Sequence, residues 1–150
     1  MGIQFTSKKV GELLKEGNLR IPTYQRPYKW NRKHIRNLFY DLRDAMEKKE
    51  YQVGSVIFHD NGGYLDIVDG QQRLISISLF LHSLEKLKDY EGANQLLGAE
   101  FGEISCYHAS ENYNEWENLT QLVGTSQAKD ICEFLLENCS ISCIIMPEER

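Results

Sequence analysis

Ile67-Val68-Asp69-Gly70-Gln71-Gln72-Arg73-Leu74 decides how this chain reads. The stretch 65–68, apolar except for Asp66, stops at Asp-Gly, and apolar residues then recur at Leu74, Ile75, Ile77, Leu81, Leu84 and Leu87. That pattern predicts a strand, a tight turn and a helix. Asp69 stands where an N-cap would, and Gly70 lets the backbone turn sharply. Gln71, Gln72 and Arg73 then fall in the first helical turn, where unbonded amides and the positive end of the helix dipole favour an anion. An Arg there works against the helix itself, because cations prefer the other end, so its presence makes sense with an anionic partner. The competing reading is a plain capped helix with three solvated polar residues.

Working outward, residues 51–59 read as a strand through Val53, Val56, Ile57 and Phe58. Asp60-Asn61-Gly62-Gly63 is a hairpin turn of the kind that needs positive φ, and 64–68 returns antiparallel. The helix after Gly70 is expected to cover 71–90 and to pack on that sheet. Asn31 is expected to cap a helix over 32–49, whose stripe is Ile35, Leu38, Phe39, Leu42, Ala45 and Met46. Val10, Leu13 and Leu14 predict a short helix over 7–16, capped by Ser7 or Thr6 and ended by Gly17. Gly92 and Gly98 are expected to break the chain, a short strand is expected over 104–107, and 112–123 shows no clear period. A helix over 126–138, capped by Ser126, and a strand over 140–146 complete the chain.

A second stretch bears on the first. Ile21-Pro22-Thr23-Tyr24-Gln25-Arg26-Pro27-Tyr28-Lys29-Trp30 carries two prolines five apart and no apolar alternation, which excludes a helix and a buried strand. It is an ordered loop whose aromatics need a reason. Either they plug the edge of the core, or Tyr24, Tyr28 and Trp30 form a base- or DNA-facing wall while Arg26 and Lys29 hold phosphate.

The totals narrow the class. With 150 residues the chain is read as one domain, and 41% hydrophobic with 26% charged residues matches an ordinary globular protein. No apolar run approaches the roughly 20 residues of a membrane span, so no membrane partner is expected. Net charge is −5 but uneven: residues 1–49 carry +7 and residues 50–150 carry −12. Residues 20–36 hold Arg20, Arg26, Lys29, Arg32, Lys33 and Arg36 and no acid, a local stripe that points to an anionic ligand. Cys106, Cys132, Cys139 and Cys143 form no paired C-x₂-C knuckles, which argues against zinc, and free thiols fit a reducing cytoplasm.

Taken together, the motif from Ile21 to Trp30 and, some forty residues later, Val68-Asp-Gly-Gln-Gln-Arg-Leu74 resemble the N-terminal domain of GmrSD-type modification-dependent restriction endonucleases. That family belongs to the wider ParB/sulfiredoxin-like fold. The resemblance implies a mixed α/β domain, with a small mixed sheet flanked by helices, that binds and hydrolyses nucleoside triphosphate and is coupled to recognition of modified DNA. It implies a role in restriction or phage defence and a nuclease domain or subunit on the C-terminal side. No HNH pattern surrounds His108 and Asn112. The family pattern continues past the last strand, so this domain is expected to be shortened at its C-terminal end.

The residues fit that chemistry. Phosphoryl hydrolysis needs charge neutralisation, an oriented water and usually Mg²⁺. Arg26 and Arg73, beside Gln25 and Gly70, can bind phosphate. Gln71 or Gln72 can orient water, and Asp69 can hold a divalent cation or accept a proton. Arg26 and Arg73 are expected to converge on one pocket. The rival reading keeps the same fold as a non-catalytic module that binds DNA or a partner.

Overall fold

In a computed structural model of the protein, residues 2–22, 27–101 and 107–147 are described. The elements run β1 (Gln4–Lys9), α1 (Val10–Lys15), β2 (Leu19–Arg20), α2 (Arg32–Ala45), β3 (Tyr51–Asn61) and β4 (Tyr64–Asp69). There follow α3 (Gln71–Ser83), α4 (Glu91–Phe101), α5 (Tyr107–Val123), α6 (Thr125–Glu137) and β5 (Cys139–Met146). The strands form one mixed sheet in the order β1-β5-β3-β4-β2. β1 runs antiparallel to β5, β5 parallel to β3, β3 antiparallel to β4, and β4 parallel to β2. Mixed α/β architecture is therefore what the chain adopts.

The expected hairpin is present. Asn61 faces Tyr64 across Gly62-Gly63, both with positive φ, and Phe58 faces Ile67. Two irregularities interrupt the pairing of β3, one at its start and one at its middle. Ile57 pairs with Asp69 while Phe58 pairs with Ile67, so Val68 is an extra residue in β4. Likewise Gln52 pairs with Ser140 and Gly54 with Ile141, leaving Val53 extra in β3. Such bulges bend a strand and re-aim its side chains. Both lie beside the start of α3.

α3 stands at the centre. Leu74, Ile75, Ile77, Leu79, Phe80 and Leu81 are all fully buried, which leaves no solvent face over most of its length. Its main neighbours are α4 and α5. Trp116 of α5 stacks on Phe80 at 4.1 Å between ring centroids, and its indole N–H donates to the Ser76 carbonyl at 2.9 Å. α2 buries Ile35, Leu38, Phe39, Leu42 and Ala45 of the predicted stripe behind an Asn31 cap that accepts from the Lys33 and His34 amides, but it ends at Ala45 rather than 49, and Met46 falls in the 3-10 turn that follows, half-buried.

Several expectations need correction. The segment predicted as helix 7–16 is a strand to Lys9 and a helix only from Val10, because β1 finds β5 as a partner from Gln4↔Ile145 to Lys9↔Ser140. Neither Thr6 nor Ser7 caps α1; the Glu12 carboxylate accepts from the Lys9 amide instead. The helix predicted over 71–90 ends at Ser83. Glu85 takes φ 60° and the Lys86 amide bonds back to the Leu81 carbonyl, a left-handed closure made without glycine. Gly92 and Gly98 do not break the chain but lie within α4, and Gly92 lets that helix approach the carbonyls that end α1. Residues 112–123 belong to α5. Its inward face mixes Ala109, Trp116 and Leu119 with buried Asn112 and Glu115, which hides the helical period. Of the strand predicted over 104–107, residues 104–106 lie outside the described residues and Tyr107 opens α5.

Candidate functional site

The site is built where β4 runs into α3. Gly70 takes φ 105°, and a Cβ there would sit 3.0 Å from the Ser55 carbonyl and 3.1 Å from Val56. The turn is pressed onto β3, and only glycine fits it. Gly70, not Asp69, is the N-cap residue, so the predicted capping by Asp69 does not occur. Asp69 instead ends β4 with its side chain exposed. Since Gly70 has no side chain with which to cap, the first turn of α3 presents its amides without that partner.

Gln72 joins the two motifs. Its Oε1 accepts from the Lys29 amide at 2.8 Å and the Trp30 amide at 3.1 Å, and its Nε2 donates to the Pro27 carbonyl at 3.3 Å. The aromatic loop is thereby fastened to the first turn of α3. Tyr28, on that loop, points inward and is 2% exposed. Its hydroxyl lies 2.5 Å from the Ser76 hydroxyl and accepts from Asn112 Nδ2 at 2.8 Å, while the same amide donates to the Trp30 carbonyl at 2.7 Å. Tyr28 is thus an anchor in the core, and Trp30 alone of the two provides an aromatic wall. Trp30 stacks against His34 at 5.1 Å.

Two clefts meet at that Trp30–His34 pair. The first, of about 310 Å³, is lined by Lys29 and Trp30 on one side and by Asp69, Gly70, Gln71 and Gln72 on the other. Val68, the bulge residue, also opens onto it. The second, of about 210 Å³, lies between α2 and β3 and is lined by Trp30, His34, Asn37, Asp41, Tyr51 and Arg73. Arg73 therefore does not share the cleft of Asp69 and Gln71. Its guanidinium carbon sits 5.5 Å from the centroid of the Trp30 ring, and its Nε is buried with no hydrogen-bond partner. Gly54 makes the room: a Cβ on it would fall well inside van der Waals contact of Arg73 Nη1. The Tyr51 hydroxyl responds to this second cleft. Burial pushes its pKa up, Asp41 adds to that, and Arg73 opposes it.

Tyr24, Gln25 and Arg26, three of the residues singled out in the sequence, lie outside the described residues, and with them the expected convergence of Arg26 and Arg73. The basic stripe is partly spent within the protein. Arg20 grips Asp66 with two bonds of 2.6 and 3.1 Å, Arg32 faces Glu111 at 3.9 Å and Arg36 faces Glu115 at 3.7 Å. Lys29 stays exposed at the first cleft. His34, Asn37, Asp41 and Tyr51 were not singled out as site residues. Their signal was the spacing 34, 37, 41 on the polar face of α2, directly after the aromatic loop.

Chemically, the first cleft joins helix amides and an ammonium with an aromatic face, a combination suited to a phosphate-bearing ligand. Among the described residues Asp69 is the one carboxylate lining it, and no group of three His, Cys, Asp or Glu side chains is placed to hold a metal. No helix among the described residues is long and apolar enough to cross a membrane. No curated protein matches the chain. The family model for the GmrSD restriction endonuclease, N-terminal domain, matches residues 10–145.

Proposed function

The chain belongs to the GmrSD restriction endonuclease N-terminal domain family, and from that premise we propose that its first cleft binds and hydrolyses a nucleoside triphosphate within a DNA restriction system directed against phage. The observation that carries the reading is the Gln72 clamp, which makes one cleft out of two sequence motifs. The α3 amides and Lys29 receive the phosphates, where dipole and charge add. Trp30 offers a face for the sugar or base. Gln71, 5% exposed at the cleft floor, positions the attacking water. Asp69 suits a hydrated divalent cation such as Mg²⁺, which keeps water and phosphate oxygens as its other ligands and would neutralise developing charge. Modified DNA and a nuclease domain or subunit on the C-terminal side are the further partners of this reading.

The test is a titration with a nonhydrolysable triphosphate, paired with a phosphate-release assay. Lys29→Ala should weaken binding by about tenfold, the loss expected for one charge-assisted contact. Asp69→Asn should lower turnover more than binding, because a carboxylate does not itself attract phosphate. A folded wild-type chain that binds no triphosphate refutes the reading. Binding without turnover, unchanged in Asp69→Asn, favours the non-catalytic module instead.

A further inference from the structure

We propose that the second cleft, between α2 and β3, is a nucleobase pocket that selects guanine. The phosphates of that nucleotide rest on the reading above; the base does not. Arg73 is the starting point. It is a cation whose Nε is buried without a partner, and among the described residues no carboxylate lies within ion-pair distance of it. A guanidinium is all donor, so the cleft lacks an acceptor at that point. β3 gives up a side chain at Gly54, in a conformation with φ 142°, to let Arg73 through. A backbone kept in that form around an unmatched cation is the mark of a ligand seat.

The facing wall supplies the complementary atoms. His34, Asn37 and Asp41 share one face of α2 and all line the cleft. Asp41 is acceptor-only. His34 Nδ1 accepts from the Asn31 amide at 3.1 Å, so in the neutral ring the proton sits on Nε2, which is a donor. Both Asp41 and Arg73 act on the Tyr51 hydroxyl with opposite sign, so the two charges bracket the same space. Trp30 gives the stacking face.

Of the bases, guanine alone answers both charges with two atoms each. Its N1–H and N2–H₂ are adjacent donors for one carboxylate, and its O6 and N7 are adjacent acceptors for one guanidinium. Adenine and cytosine each bring a single donor group to Asp41. Uracil brackets its one N–H between two carbonyls that repel a carboxylate. Because the two clefts share Trp30 and His34, a base in the second is continuous with phosphates in the first.

Calorimetric titration of the chain with nonhydrolysable guanosine, adenosine, uridine and xanthosine triphosphates, with guanosine and with inorganic triphosphate tests this. The guanosine analogue should bind about tenfold or more tightly than the adenosine one. Asp41→Asn, an exposed position on α2, should lose that preference and gain xanthosine triphosphate, whose O2 accepts where guanine N2 donates. Equal affinity for all bases, or a guanine preference untouched by Asp41→Asn, overturns the pocket and leaves the phosphate reading standing if inorganic triphosphate binds. Guanosine binding lost in Asp41→Asn, with no binding of inorganic triphosphate, supports the pocket and overturns the phosphate cleft. No binding of any nucleotide overturns both.

Discussion

Gln72→Ala separates a residue that builds the site from one that reacts in it. The side chain accepts from two consecutive loop amides, at 2.8 and 3.1 Å, and donates a longer bond to Pro27. Each ordinary hydrogen bond contributes about 0.5–1.5 kcal/mol net, so the two short ones together contribute roughly 1–3 kcal/mol. Gln72 is only half-buried and water will reach the freed amides, which puts the expected loss at the lower end, about 1–1.5 kcal/mol. For a chain of this size that lowers the thermal midpoint by about 2–6 °C. The local effect should be larger than the global one, because the loop loses its tie to α3 while Tyr28 stays anchored. Trypsin cleavage at the Lys29–Trp30 bond should accelerate in Gln72→Ala. Gln72→Glu keeps the oxygen that accepts from both amides and should restore most of the protection, losing only the donor to Pro27. Urea unfolding and timed proteolysis measure both effects. Unchanged stability and unchanged cleavage at Lys29–Trp30, together with lost phosphate release, would refute the clamp and return Gln72 to the chemistry.

Other outcomes follow from the same geometry. Gly54→Ala should cost about 1–3 kcal/mol, since it places a side chain in a left-handed conformation and drives Arg73 off Trp30; denaturant unfolding and the Trp fluorescence spectrum report the two effects. The Asp66 carboxyl is held below its ordinary 3.8 by its bonds to Arg20, so its contribution to stability is full above that value and is lost as pH falls through the lower folded value. Between pH 4 and 2 the wild type should therefore lose more stability than Asp66→Asn, and equal losses would contradict the pairing. Burial pushes the Cys132 and Cys139 thiols up to about 12 and raises Cys143 as well. In a Cys106→Ser chain at pH 8 the remaining thiols should resist a disulfide reagent until urea is added; rapid reaction in the folded state would count against their burial.

The sequence made the central hairpin, α2 and α3 legible because each rests on local signals. Gly62-Gly63 sets the turn, Asn31 sets a cap, and the stripe of α2 is regular. β1 was not legible, since nothing within Gln4–Lys9 announces β5 as its partner some 130 residues away. α5 was hidden because Asn112 and Glu115 face inward for specific bonds and break the apolar period. The candidate site divided the same way. Asp69, Gly70, Gln71 and Gln72 line one cleft with Trp30, which the pairing of the two motifs, not the strand-turn-helix pattern, had suggested. Arg73 does not join them, and Tyr28 turns into the core, because a string of adjacent letters carries no direction.

Direction is the point on which the two motifs are understood. Successive residues of an α-helix turn by about 100°, so Gln71 and Arg73 project roughly opposite ways from the same first turn. Three neighbouring side chains thus take three tasks: Gln71 floors one cleft, Gln72 holds the loop, and Arg73 passes beside Gly54 into the other. What keeps these tasks in one place is Trp30. Its backbone is tied at the amide by Gln72 and at the carbonyl by Asn112, while its ring meets His34 and Arg73. The indole forms a wall of both clefts, so it cannot shift to suit a ligand in one without reshaping the other. Among the described residues each cleft sets one cation and one carboxylate against the indole, Lys29 with Asp69 in the first and Arg73 with Asp41 in the second, so a single tied ring divides two spaces of like charge pattern.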